Sequence, residues 1–478
     1  MKKKKVIRIL EKLRVEDYAA EGKSLARIDG KVIFIENVVP GDLVDVRLSK
    51  SKKDWAEGYP VHFHEYSADR VTPFCSHFGV CGGCQWQMLP YEKQLVYKQK
   101  QVEETLKRIG KVALPAIAPI LGAAETRFYR NKIEYTFGSS EFIPKDVFER
   151  MDKDAPPPPG VAGFHAKGWF DKIVNIDTCY LQAEPTNLIR KAVNELAVKN
   201  GWSYYDIRQH HGFLRNLQIR LCTTGELMVN MVLGEPDPEK ISLLMDHLQQ
   251  QFPAITTLLY TVNTKWNDSL YDQEPVVISG KGYVVEKLED FRFKIGPKSF
   301  FQTNSKQGEQ LYRVAREFAE LTGEQNVYDL YCGTGSIGIF VNPGARQIIG
   351  VEQVEEAVKD ARENAALNGI DKALFFAGDV INVCTDAFFA EHGKPDVIIT
   401  DPPRAGMHEK LVRKILEMEA PIVVYVSCNP STQARDLQWL DAKYKVTKIQ
   451  PVDMFPHTHH IENVVQLKLK TSKAVSQE

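Results

Sequence analysis

The sequence predicts a multidomain α/β protein in three parts. These are a small β-barrel over residues 1–68, a mixed α+β centre over 69–290 carrying a four-cysteine cluster, and a doubly wound parallel sheet over 291–478. Three observations support this division. At 478 residues the chain exceeds what one hydrophobic core holds. Before residue 70, short β-branched runs alternate with turn residues. From Phe291 onward, strand-like and helical stretches alternate, as in a parallel sheet covered on both faces.

Composition narrows the class. Apolar residues make up 43% and charged residues 26%, the balance of a soluble globular protein. A net charge of −1 and a pI near 6.9 announce no polyanion partner globally, although a local basic face remains compatible with them. No apolar run approaches the length of a membrane span. The start MKKKKVIRIL has charge but no sustained apolar stretch, so no signal peptide is read and a cytoplasmic location without membrane attachment is expected. Lys2–Lys5 reads as a solvated tail.

In the first part, KVIFIENVV and LVDVRLSK flank Pro40-Gly41-Asp42, which is strong turn chemistry. Lys and Arg are interleaved with Phe34, Trp55, Tyr59 and Tyr66, a pattern that suits phosphate attraction plus base stacking, unless the aromatics are core.

The centre opens with Cys75, Cys81 and Cys84 in C-x5-C-x2-C spacing, and Cys179 follows far downstream. In a large chain without a secretion signal, such cysteines suggest a metal site. Four thiolates suit either structural zinc or an iron–sulfur cluster, and spacing leaves both open. Residues 91–110 have helical composition, with Leu95, Val102, Leu106 and Ile109 on one expected face. The stretches 125–138 and 211–222 alternate cations with apolar residues and predict strands with one core face and one basic face. KDAPPPPG (153–160) predicts an extended surface insertion.

The chemistry concentrates in the last part. In NVYDLYCGTGSIGIF a strand leads through Gly333-x-Gly335-x-x-Gly338 into a helix, and Glu352 ends the next strand. Glycines allow close backbone approach there, and the acid grips ribose hydroxyls. The pattern fits a nicotinamide cofactor as well as S-adenosylmethionine (SAM). Later strand ends favour SAM: DPPR places Asp401 at one tip, and IVVYVSCNP places Cys428 at the next. Asp379 offers another acid for an adenine amino group. A lone Cys in an apolar run is ordinarily core filler; at the C-terminal lip of a parallel sheet it stands where such sheets bind ligands.

FFQTN (300–304), DLYCGTGSIGIF, DPPR, SCNP and MFPHTHHIENVVQL (454–467) together resemble the SAM-dependent RNA uracil-5-methyltransferases. Residues 22–48 resemble a TRAM domain, an OB-like RNA-binding barrel. The likeness spans nearly the whole chain and is nearest to the branch that methylates 23S ribosomal RNA and carries a [4Fe-4S] cluster. It implies a Rossmann-like methyltransferase domain at the C-terminus, with SAM contacts at Gln302, Tyr331, Glu352 and Asp401. Ser336, standing where relatives often carry Asn, is kept among the cofactor contacts. The resemblance further implies Cys428 as nucleophile, Glu462 as base, and Cys75, Cys81, Cys84 and Cys179 as cluster ligands. The expected partner is an unpaired or flipped uridine of 23S RNA, met by a monomeric enzyme. The alternatives are a tRNA substrate and a non-catalytic RNA-binding protein with a residual enzyme fold. Cytosine-5 methylation is disfavoured, because its enzymes place the Cys after an Asp-Ala-Pro motif, where this chain has Pro403-Arg404. His457, His459 and His460 are read as structural rather than metal-binding.

Overall fold

The computed structural model describes residues 8–152 and 160–470. Lys2–Lys5 and most of the proline-rich stretch, residues 153–159, lie outside the described residues. Among the described residues, no helix is long and apolar enough to cross a membrane.

The N-terminal sheet has six strands, running from Ile9–Arg14 at one edge to Asp17–Tyr18 at the other. Its core is aliphatic: Ala26, Ile33, Ile35, Val44, Val46 and Ala56 are fully buried. The aromatics Phe34, Trp55, Tyr59 and Tyr66 all lie outside that core, the last two exposed. The Pro40–Asp42 turn is fixed by the buried Asp42 carboxylate, which accepts from the Val39 and Ser67 N–H groups and pairs with Arg70 at 2.6 Å.

The central sheet has seven strands, in the order 276–279, 257–262, 227–233, 214–221, 132–138, 161–165 and 173–175. The structure corrects the expectation of a basic face on residues 211–222. Arg215 and Arg220 are 2% and 3% exposed. Arg215 donates to the carbonyls of Asn263 and Lys265, and Arg220 to Asn131 Oδ1. A guanidinium supplies five donors in a fixed fork, so a ring of acceptors lets it sit inside.

In the C-terminal sheet, parallel strands Asn326–Leu330, Gln347–Glu352, Ala373–Ala377, Val397–Thr400 and Ile422–Ser427 are joined by Tyr444–Val452 and Glu462–Leu469. The expectation of a purely parallel sheet is corrected at this edge. Glu462–Leu469 inserts antiparallel beside Ile422–Ser427, with Ser427 opposite Asn463. An antiparallel strand begins where its parallel neighbours end, so this arrangement brings residue 462 to the lip that carries residue 428. The hairpin of Val284–Leu288 and Phe291–Ile295 packs into the same core, so the edge expected at 290 falls within a hairpin.

The helix expected over 91–110 runs as an α-helix from Tyr91 to Thr105 and closes in a π-turn at Leu106–Gly110. Val102 and Leu106 are buried against the C-terminal unit, whereas Ile109 is 40% exposed. Gln94 and Lys98 are instead completely buried. Lys98 Nζ pairs with Asp453 at 2.6 Å and also donates to the Phe455 carbonyl. The helix is thereby welded to the segment leading into Glu462.

Candidate active site

At the C-terminal lip of the parallel strands lies a cavity of about 850 Å³. Gln302, Tyr331, Ser336, Glu352 and Asp401 line it, together with Cys428 and Glu462. Asp379 lines an adjoining cavity of about 370 Å³ that shares Tyr331 and Glu352. Residues read from five separate motifs are thus brought to one place.

Local structure explains each position. After Leu330 the chain turns sharply through left-handed Tyr331, Gly333 and Gly335, at φ 62°, 52° and 75°. A Cβ at Gly335 would meet Phe375 at 2.9 Å, so this turn needs glycine for space as well as for its backbone. The Gly338 N–H donates to the buried Asp329 carboxylate at 2.8 Å, and burial pushes that carboxyl up to about 7. Glu352 accepts from the Gly333 and Val354 N–H groups, which hold its carboxylate at the mouth of the turn. Asp379 caps its short helix at Ile381 N and accepts from Gln353 Nε2. The Ser336 hydroxyl lies 2.8 Å from the Tyr312 hydroxyl. In FFQTN, Asn304 caps the helix Ser305–Ala319 and donates to the Met454 carbonyl, and Gln302 is buried between these anchors.

Cys428 follows a buried strand and precedes the helix Pro430–Leu440, which Asn429 caps through Ser431 N. Burial and the nearby Glu462 and Asp401 carboxyls push its thiol up to about 11, against the opposing pull of Arg404. Burial also raises the Glu462 and Asp401 carboxyls; for Glu462 the neighbouring Asp401 adds to the rise and Arg404 opposes it. The result is a thiol and two carboxyls lining one cavity, with Arg404 opposing the rise at the thiol and at Glu462.

Three comparisons with known proteins bear on this arrangement. Residues 386–470 match the profile of the tRNA (uracil-5-)-methyltransferase family, 308–421 that of the methyltransferase small domain, and 9–61 that of the TRAM domain. A Bacteroides thetaiotaomicron protein described as an uncharacterized RNA methyltransferase is 52% identical over 456 residues, covering 95% of this chain and 100% of its own. A Porphyromonas gingivalis protein of the same description is 47% identical, with 96% and 100% covered. The chain belongs to the TRAM-containing RNA uracil-5-methyltransferase family. Among solved structures it is similar to a Pyrococcus abyssi tRNA (uracil-54, C5)-methyltransferase in complex with S-adenosyl-L-homocysteine. That likeness has a TM-score of 0.71 at 29% identity, covering 95% of this chain and 99% of the other.

In this RNA methyltransferase, the TRAM match coincides with the six-stranded N-terminal sheet. The four cysteines Cys75, Cys81, Cys84 and Cys179 line a second cavity of about 330 Å³. Burial raises all four thiols, and Cys75 and Cys84 each add to the rise at Cys81 and at Cys179. Their mutual influence marks them as neighbours. A single ion needs its ligands converged within about 2.3 Å of one point; among the described residues no group of three or more does so.

The three histidines serve the scaffold. The His457 carbonyl accepts from Gln85 and Trp86 N–H, beside the cysteine segment, and its ring pairs with Gln94. His459 packs beneath Gly22, and His460 meets Arg404. Sequence reasoning missed Tyr312, Thr334 and Phe455 in the main cavity. Tyr312 was hidden because an aromatic on a helix face reads as core, which it also is at 2% exposed.

Proposed function

We propose that this protein transfers the methyl group of SAM to C5 of a uridine in RNA, with 23S ribosomal RNA as substrate. The observation that carries the reading is the antiparallel strand Glu462–Leu469, which sets Glu462 at the same lip as Cys428 and Asp401. Gln302, Tyr331, Ser336, Glu352 and Asp401 hold the cofactor, and Asp379 reaches its adenine end.

Uracil C5 is a poor nucleophile unaided. The Cys428 thiolate adds to C6, and the displaced electron pair makes C5 an enolate carbon that takes the methyl from the sulfonium. Glu462 then removes the C5 proton, the C5–C6 double bond re-forms, and the thiolate leaves. One hard step becomes two easier ones. A base for this purpose needs a carboxyl raised above its usual range, as burial and Asp401 provide at Glu462. The target base must be unstacked to be reached, and the exposed aromatics of the TRAM sheet supply surfaces for neighbouring bases.

Cys75, Cys81, Cys84 and Cys179 hold a [4Fe-4S] cluster in this reading, which would cross-link the segment before the helix Tyr91–Thr105 to the central sheet. Anaerobically purified protein should carry iron and sulfide; stoichiometric zinc would overturn this part. A tRNA substrate is the second reading, favoured by the similarity to the Pyrococcus abyssi enzyme. Mass-spectrometric mapping of 5-methyluridine in ribosomal and transfer RNA, with and without the gene, separates the two. Loss of one 23S site supports the first reading, loss of a tRNA site the second, and no loss in either RNA overturns both.

A further inference from the structure

Arg404 is anchored at both of its ends. Its backbone carbonyl accepts from Asn429 Nδ2 at 3.1 Å and from the Thr432 hydroxyl at 3.3 Å, which ties the DPPR loop to the SCNP loop. Its guanidinium Nη2 lies 2.7 Å from Nδ1 of His460. A guanidinium only donates, so Nδ1 must accept, and the proton of a neutral His460 ring sits on Nε2. His460 is itself backed by His459, ring centroids 4.3 Å apart. Behind His459 stands Gly22, in the turn between the strands Asp17–Tyr18 and Ser24–Ile28, where a Cβ would come within 3.0 Å of the His459 side chain.

The geometry points to His460 as a positioning residue that clamps the Arg404 guanidinium, on a loop tied to the one that carries Cys428. This rests on the reading of Cys428 as nucleophile and adds to it the means by which the thiol's environment is set. Arg404 is otherwise a long, exposed side chain free to turn into solvent, where screening would cancel its effect on the thiol. With its head clamped, it offsets the two carboxyls, Glu462 and Asp401, that face the sulfur. The clamp also persists across the working range. Burial, with His459 and Arg404 adding to it, pushes His460 down to about 3, so the ring stays a neutral acceptor. Lys98 and Arg130 face it from the neighbouring elements and act in the same sense.

The thiol can be read directly, without RNA or SAM. The pH dependence of iodoacetamide alkylation at Cys428 is followed by peptide mass spectrometry, which separates it from the other seven cysteines of the chain. In H460Q the acceptor moves to the Nε2 position, away from Arg404, and in H460F it is gone. Both variants should alkylate Cys428 about threefold to tenfold more slowly at pH 8, a shift of up to about one pKa unit. H460N keeps an acceptor where Nδ1 stood and should retain the parent profile. R404Q should show the same slowing, and adding H460Q to it should change nothing further, because both act through one group. Parent-like alkylation in H460Q and H460F, or full additivity with R404Q, overturns the inference. Should H460F fail to fold, H460Q and the double variant decide it. If Cys428→Ala retained methylation, the nucleophile reading would fall while this alkylation result stood apart.

Discussion

At the scale of single residues, the site sets a reactive thiol against its own surroundings. Cys428 is half-buried between two carboxyls and relieved by one cation, so its thiol lies near 11 rather than at the ordinary thiol value. Its thiolate fraction therefore grows about tenfold per pH unit throughout the neutral range. Alkylation of Cys428 in the free enzyme should climb steadily from pH 7 to pH 9, and a plateau near pH 8.5 would contradict this. Asp401→Asn removes one of the opposing charges; it should speed alkylation at fixed pH even as it weakens cofactor binding. The identities of these residues were legible in the sequence because DPPR, SCNP and the Gly-rich turn are local patterns. The partnership of Arg404 with His460 was not, since 56 residues separate them and only the strand order brings them together.

At the scale of elements, the decisive feature is a strand direction. The strand–helix alternation from Phe291 onward predicts a parallel sheet and carries no sign for the direction of its last strand, Glu462–Leu469, which is antiparallel. The helix Tyr91–Thr105 shows the same limit. Helical spacing marked its apolar residues as the buried face, and Val102 and Leu106 are buried, yet Gln94 and Lys98 are fully enclosed there as well. Polar side chains read as solvent-facing until their partners, Asp453 and His457, are known. Burial disfavours the Lys98 charge and Asp453 sustains it. Replacing one partner strands the other, so Lys98→Met should cost about 3–5 kcal/mol in chemical denaturation. Replacing both Lys98 and Asp453 with apolar residues of similar size should recover much of that loss. Equal stability of Lys98→Met and the parent would show that the pair does not hold the helix in place.

At the scale of the whole molecule, one loop joins the parts. Residues 454–461 meet Asn304 through the Met454 carbonyl, Tyr129 through the Pro456 carbonyl, the cysteine segment through the His457 carbonyl, and Gly22 through His459. The TRAM domain at the N-terminus and the methyltransferase fold at the C-terminus were legible from the change in hydrophobic pattern along the chain. The welding of the parts was not, because it runs largely through backbone carbonyls that any residue supplies. RNA seating belongs to this scale as well. Lys50 lies 4.8 Å from the ring of Trp55, which stands outside the aliphatic core of the TRAM sheet. Trp55→Ala should raise KM for RNA by the cost of about one lost base stack, roughly 1–3 kcal/mol, with kcat little changed. A fall in kcat at unchanged KM would assign Trp55 to the chemistry instead.

The central claim, that Cys428 attacks the base and Glu462 clears the proton afterwards, is tested most directly by trapping. Glu462→Gln is mixed with its RNA and SAM labelled in the methyl group, and the products are resolved by denaturing electrophoresis and mass spectrometry. The expected result is a covalent protein–RNA adduct, joined through Cys428 and already carrying the methyl group, that forms quickly and decays slowly. Rapid release of free 5-methyluridine RNA by Glu462→Gln, or an adduct that persists when Cys428 is also replaced by Ala, would contradict the account.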